Sequence, residues 1–270
     1  MLPPHLRVDF EKAEKIIVEF IEKKVKSAGA EGVVVGLSGG GDSAVAAALA
    51  VKALGSENVL AFHLPDRESD RISALIASKV AGSLDIELRI IDITPIVTSF
   101  LNSLGWSYQG SDKIVRGNIK VRTRMSILYA MANSMNRLVL GTSDRSEWLI
   151  GYFTKWGDGA ADLYPIIGLY KTQVREFGKL LSLPPEVMSR PPTPDLWKGH
   201  TAEGEIGVTY DVIDEVLYWL FDEGLSVDEL MDKHLVPREV IERIIELHRK
   251  TEHKRKPLAA PFWSFKELMK

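Results

Sequence analysis

The sequence predicts an α/β fold, a mostly parallel sheet with helices on both faces. Three observations carry that expectation. Short β-branched apolar runs alternate with helical patterns, the alternation repeats four times, and the first run feeds straight into a glycine-rich turn. At 270 residues and 45% hydrophobic, the chain can bury a sizeable core.

Residues Asp9 to Ala30 place Phe10, Ala13, Ile17, Phe20 or Ile21, and Val25 at three- and four-residue spacings between Glu and Lys, which predicts an amphipathic helix. Val33-Val34-Val35 predicts the first strand, and the alanine-rich run Ser43 to Leu54 predicts the helix after the glycine loop. Asn58 to Leu64 reads as a strand, Ser69 to Leu84 as a helix and Glu87 to Ile93 as a strand. A long helix is expected from Asn118 to Met135, then a fourth strand over Arg137 to Gly141. From Thr142 to Tyr170 the periodicity weakens into Gly, Asp, Lys and aromatics, the chemistry of a site-bearing loop. Helix returns over Tyr170 to Leu181, and Leu183-Pro-Pro185 stops it. Ser189 to Val208, rich in Pro, Gly and charge, reads as a lid or a crossing loop; helices follow over Tyr210 to Glu223 and Pro237 to Lys250, then a basic tail, Thr251 to Lys256. With no repeat and no clear boundary, one domain is expected over residues 1–270, with a C-terminal helical segment and tail from about 205 to 270 as part of it.

Composition narrows the function. The chain has no cysteine, so thiol nucleophiles, persulfide chemistry and Cys-based zinc sites are excluded. A formal net charge of −3 gives no field for gathering nucleic acid, so no nucleic-acid partner is expected. No apolar run approaches the roughly 20 residues of a membrane span, so no membrane is expected and a cytoplasmic location is the plain reading.

The chemistry starts at Gly36-Leu-Ser-Gly-Gly-Gly-Asp-Ser43. A strand, a glycine turn and a helix start present successive backbone N–H groups and a positive helix end to one point, which suits phosphate. The common phosphate loop carries lysine where this one carries Asp42. A carboxylate repels phosphate unless a cation lies between, so Asp42 predicts Mg²⁺. The alternative is an ordinary turn in which Asp42 caps the helix. Thr142-Ser-Asp-Arg-Ser-Glu147 follows the fourth strand, so Glu147 falls at the same sheet end. Asn118 and Arg122 recur on successive turns of one helix face, suited to gripping phosphate or ribose. Taken alone, Lys120, Arg122 and Arg124 also read as a solvated face, Tyr152, Phe153 and Trp156 as core, and Asp158 and Asp162 as turn caps.

Ser38-Gly-Gly-Gly-Asp-Ser43 after a strand resembles the signature of the ATP pyrophosphatases. Gly117 to Met125, Thr142 to Glu147, Phe153 to Asp162, Pro165 to Lys171 and Thr251 to Arg255, in this order, make the chain similar to the ammonia-dependent NAD synthetase family over essentially its whole length. The resemblance implies a Rossmann-like, adenine nucleotide α-hydrolase-like fold, usually a homodimer, converting deamido-NAD to NAD with ATP as co-substrate, Mg²⁺ and ammonia. It implies that Gly36, Leu37, Ser38, Gly39, Gly40, Gly41, Asp42 and Ser43 hold pyrophosphate, that Asp42 and Glu147 bind the metal, and that Thr142, Lys171 and Thr193 contact ATP. It assigns Asn118, Arg122, Lys155, Asp162, His253 and Lys254 to deamido-NAD, and sets Asp158 near the incoming ammonia. In two places the chain departs from its relatives: His63 stands where many carry arginine, and Gly41 where glutamine is common.

Glutamine-using relatives add an amidase domain with a cysteine nucleophile, and this chain has neither the length nor the cysteine. Free ammonia, or ammonia from a partner protein, is therefore the expected nitrogen source. The alternative enzyme is another ATP pyrophosphatase that amidates or thiolates a nucleotide or tRNA; a nucleotide-binding regulatory module is the alternative outside catalysis.

Overall fold

The computed structural model describes residues 2–234 and 236–256. Asp9 starts α1 (Phe10–Ala28) by accepting the Lys12 N–H, and Gly29 ends it in the left-handed region at φ 64°. β1 (Gly32–Gly36) leads through the glycine turn into α2 (Gly41–Leu54), and β2 (Val59–His63) into α3 (Arg71–Ser83). β3 (Glu87–Ile90) stops short of the expected Ile93 because Asp92 already accepts the Thr94 N–H and Pro95 opens α4 (Thr94–Ser103), a helix the strand pattern had hidden. α5 (Lys113–Ser134) starts five residues before Asn118, where Asp112 caps the N–H groups of Ile114 and Val115. β4 (Arg137–Leu140) completes the sheet.

All four strands are parallel, in the order β3-β2-β1-β4. The chain builds outward from β1 through β2 to β3, then returns to place β4 on the other side of β1. The loops after β1 and β4 therefore diverge and leave a crevice at the sheet's C-terminal edge.

Alternation along β1 sends Val33 and Val35 to one face and Val34 to the other. The first face packs against Ile17, Ile21 and Val25 of α1 and against α2, whose residues Ser43 to Ala50 are all buried. A helix buried all round needs small side chains, which explains its alanines. The second face is covered by Val97 and Leu101 of α4 and Ile119 and Ala132 of α5.

Beyond β4 the chain is helical. α6 (Arg145–Ile150) interrupts the expected loop, and α7 (Lys171–Leu180) and α8 (Pro185–Ser189) follow. Then come α9 (Ala202–Ile206), α10 (Tyr210–Leu217), α11 (Val227–His234), α12 (Arg238–Lys250) and α13 (Glu252–Arg255). α10 was expected to reach Glu223, but a wider π turn over Tyr218–Asp222 finishes it. Tyr210, Ile213, Leu217, Leu230, Ile241 and Ile244 form a third core here. The expected C-terminal segment extends into residues 257–270, which lie outside the described residues. Among those described, no helix is long and apolar enough to cross a membrane.

Candidate active site

The glycine turn sits at the crevice. Gly39 adopts φ 82°, and a Cβ there would lie 2.5 Å from the Ser73 carbonyl oxygen, so only glycine lets the turn lean on the start of α3. Its serines close the turn: Ser43 Oγ donates to the Gly40 carbonyl (3.0 Å) and accepts from Ser38 N (3.3 Å). Asp42 does not cap α2; Gly40 holds the cap position and Asp42 lies in the first turn.

Asp42 points instead into a cluster. Lys171 Nζ lies 2.8 Å from an oxygen of each of Asp42, Asp144 and Glu147. α7 starts at Lys171, and its backbone N–H donates to Ser146 Oγ (2.9 Å). Ser146 in turn donates to the fully buried Asp214, whose other oxygen accepts the Thr172 N–H at 2.8 Å. The lysine is thus aimed by its backbone as well as by its charge. Burial works against its ammonium, but the three carboxylates outweigh burial and hold it well above the usual lysine range. Burial raises Asp144 and Glu147, and the crowding of like charges adds to it.

One oxygen from each of Asp42, Asp144 and Glu147 lies within 4.8 Å of the others. Hard carboxylate oxygens at that spacing fit a hard divalent cation. Three carboxylates against one ammonium leave a formal charge of −2, which a divalent ion cancels.

A cleft of about 450 Å³ opens beside the cluster. Every residue of the loop except Gly39 lines it, and so do Asn118, Thr142, Glu147, Asp158, Lys171, Thr193 and Lys254. Asn118 accepts from Thr154 Oγ1 at 2.8 Å. Asp158 takes the Thr154 N–H at 2.7 Å and so caps its turn, yet it also opens onto the cleft. Protein encloses it on its other sides, and that enclosure pushes its carboxyl up from the usual range. Lys254 donates to the carbonyls of Gly151 (2.7 Å) and Phe153 (2.6 Å). Thr193 Oγ1 donates to the His200 carbonyl and receives the Asp195 N–H at 3.0 Å.

Arg122, Lys155, Asp162 and His253 stand off the cleft wall. Arg122 is exposed, its Nε 3.2 Å from the Lys155 carbonyl. Asp162 is held at the sheet, accepting from Val139 N (2.7 Å) and Tyr129 OH (3.3 Å). His253 is exposed on α13. His63 is buried; its Nδ1 donates to the Leu37 carbonyl at 2.9 Å, and burial lowers its pKa. Phe153 is buried and stacks on Trp148 at 5.0 Å, yet it and Tyr152 also line the cleft, whereas Trp156 is exposed.

The sequence reading missed three features. Asp144 lies between Thr142 and Glu147, where its capping of the Glu147 N–H (2.8 Å) is the ordinary use of an aspartate. Arg124 lines the cleft rather than a solvated face, its Nε 2.9 Å from the Leu64 carbonyl. Trp197 and His200 stack at 3.6 Å over the cleft wall, and Tyr152 and Glu205 meet His200 at 3.3 and 2.8 Å. The last group had no periodic signal to find it by.

Comparison with known proteins gives a consistent picture. The family model described as NAD synthase matches residues 14–258. A curated NH(3)-dependent NAD(+) synthetase of Thermococcus kodakarensis is 45% identical over 254 residues, 94% of this chain and 98% of that one. One of Pyrococcus horikoshii is 45% identical over 262 residues, covering 97% and 98%. Among solved structures, the NMN synthetase from Francisella tularensis superposes with a TM-score of 0.83 at 37% identity, covering 95% of this chain and all of that one. The NH3-dependent NAD synthetase from Campylobacter jejuni, in complex with the nitrate ion, gives 0.78 at 30%, covering 96% and 100%.

Proposed function

The chain belongs to the NAD synthase family, and from that membership we propose that its cleft amidates deamido-NAD to NAD with ATP and ammonia, releasing AMP and pyrophosphate. The observation that carries the proposal is the placement of Lys171, Asp42, Asp144 and Glu147 at the mouth of a glycine loop. A site that merely held a nucleotide has little need of three carboxylates around a buried lysine.

A carboxylate is a poor acceptor of ammonia, so the nicotinate carboxylate first attacks the α-phosphorus of ATP. A mixed anhydride forms and the bond to pyrophosphate breaks. The N–H groups of the loop and the positive end of α2 receive the departing pyrophosphate. Lys171 offsets the charge that develops on it, and Thr142 and Thr193 contact the nucleotide. Asp42 and Glu147 would hold Mg²⁺, which when bound neutralises phosphate charge. Asn118, Arg122, Lys155, Asp162, His253 and Lys254 belong to the same reading as contacts for deamido-NAD. Ammonia then attacks the acyl carbon, AMP leaves, and Asp158 takes a proton from the incoming nitrogen.

The reading includes a homodimer in the cytoplasm. Ile96 and Phe100 of α4, Leu104 just beyond it and Ile114 of α5, all left exposed, support a subunit contact. The likeness to the Francisella NMN synthetase favours one further substrate, the nicotinate mononucleotide. The test is to supply purified chain with ATP, Mg²⁺ and either dinucleotide or mononucleotide, with ammonium or glutamine as sole nitrogen source, and to follow amide and pyrophosphate. Amidation of deamido-NAD with ammonium is expected. Preference for the mononucleotide overturns the substrate, and efficient use of glutamine overturns the nitrogen source.

A further inference from the structure

Lys120 lies outside the cleft lining, yet it is completely buried. Its ammonium meets three acceptors, Asp66 Oδ2 at 2.7 Å, Glu68 Oε2 at 2.6 Å and the Leu196 carbonyl at 2.7 Å. An ammonium has three hydrogens to give, and each finds a partner. The charges around it also close. Arg116 donates to both oxygens of Glu68, at 3.1 and 3.2 Å, so two cations face two carboxylates. The Tyr108 hydroxyl donates to Asp66.

What this cluster joins is more telling than its balance. Asp66 and Glu68 belong to the loop between β2 and α3, Lys120 to α5, and Leu196 to the segment Thr193 to His200 that walls the cleft. That segment sits hard on α5, since a Cβ at Gly117 would lie 3.2 Å from Leu196 Cδ1 and 3.5 Å from the Trp197 ring. Asp195, in the left-handed region at φ 52°, ties the same segment to the start of α3 through Asp70 N (3.0 Å) and Ser73 Oγ (3.0 Å). The connection between Lys120 and Leu196 is therefore one of the tethers that set where Thr193 and Trp197 stand, and it is the one that joins Leu196 to α5 through a buried charge.

We propose that Lys120 is a positioning residue for the reaction: its buried ammonium, aimed by Asp66 and Glu68, holds the Leu196 carbonyl and so fixes the Thr193 to His200 wall of the cleft. The kinetic consequence rests on the proposed reading of the cleft as an ATP site; the structural consequence does not.

Lys120→Met alone leaves Asp66 buried and unpaired, which endangers folding for a trivial reason. The double variant Lys120→Met, Asp66→Asn removes the stranded charge with the lysine, and Glu68 keeps Arg116. Hydrogen exchange of the double variant is expected to quicken by about tenfold or more at Asp195, His200 and Ala202, whose amides are hydrogen-bonded within the segment and at its end, the scale of a lost charge-assisted hydrogen bond, while β1 to β4 hold their protection. The KM for ATP is expected to rise more than kcat falls. Exchange in that segment within twofold of the parent overturns the proposal, whatever the kinetics. Should the parent form no NAD, the proposed reaction fails, and the exchange comparison still decides the tether.

Discussion

Asp144→Asn tests the electrostatic reading of the cluster around Lys171. Asparagine keeps the oxygen that accepts the Glu147 N–H and nearly the same volume, so the change is chiefly one of charge. Losing the contact at 2.8 Å to Lys171 costs ~6 kcal/mol at an effective dielectric of 20. Removing one carboxylate from two others within 4.8 Å relieves at least ~3.5 kcal/mol for each, ~7 in all, on the same scale. The two effects nearly cancel. The variant should melt within about 4 °C of the parent, the shift that about 1 kcal/mol makes in a chain of this size. Cation binding has no such compensation, because the formal charge around the site falls from −2 to −1. Affinity for Mg²⁺ or Mn²⁺ should weaken by at least about tenfold, or 1.4 kcal/mol. Titration calorimetry with a non-hydrolysable ATP analogue, beside a thermal melt, measures both. Unchanged metal affinity, or a melting temperature lowered by tens of degrees, would refute the reasoning.

Asp158→Asn should slow amide formation by about a hundredfold, the usual scale for a lost general base, and adenylate formation much less. Rapid-quench measurement of pyrophosphate and NAD separates the two steps, and equal loss in both counts against the assignment. Because enclosure raises the Asp158 carboxyl, the parent's amidation should decline on the acid side at a higher pH than an ordinary aspartate gives. Asp214 gives a pH effect on stability. Burial lifts its carboxyl from 3.8 to about 7, so folding takes up a proton between those values. The associated stabilisation is fully present below the unfolded value and is lost as pH rises through the folded one. Asp214→Asn should flatten the fall in melting temperature between about pH 4 and about pH 7. An unaltered slope would assign that fall to other groups.

Much of the site could be read along the chain because its signals are local. A strand, three glycines, Asp42 and a helix start lie within a dozen residues, Glu147 follows the fourth strand, and Lys171 opens α7. Lys120 shows where such reading fails. Along the chain it reads with Arg122 and Arg124 as one basic run, yet Arg122 is exposed on the far side of the helix, and Lys120 is buried because the loop carrying Asp66 and a segment 76 residues downstream fold over it. Asp144 hides for another reason, since its backbone cap satisfies the sequence pattern and leaves its second oxygen unexplained. α4 was hidden because its apolar residues continue the apolar pattern of the strand and it carries no charged side chain to mark a polar face, although Asp92 and Pro95 signal its start. The assignment of Asp162 to substrate came from resemblance, and its hydrogen bonds to Val139 and Tyr129 belong to the frame of the sheet.

The hydrogen bonds from Ser146 and Thr172 to Asp214 bear on how far this protein can be divided. α10, which carries Asp214, comes some seventy residues after the last strand, and in a diagram of the fold it looks like an accessory. Yet the backbone that presents Lys171 leans on it through Ser146. A chain truncated after the sheet and α7 would keep every ligand of the glycine loop and lose the footing of its lysine. Grafting the nucleotide half onto another scaffold, or permuting the chain at the turn before Tyr210, would have to carry that aspartate along.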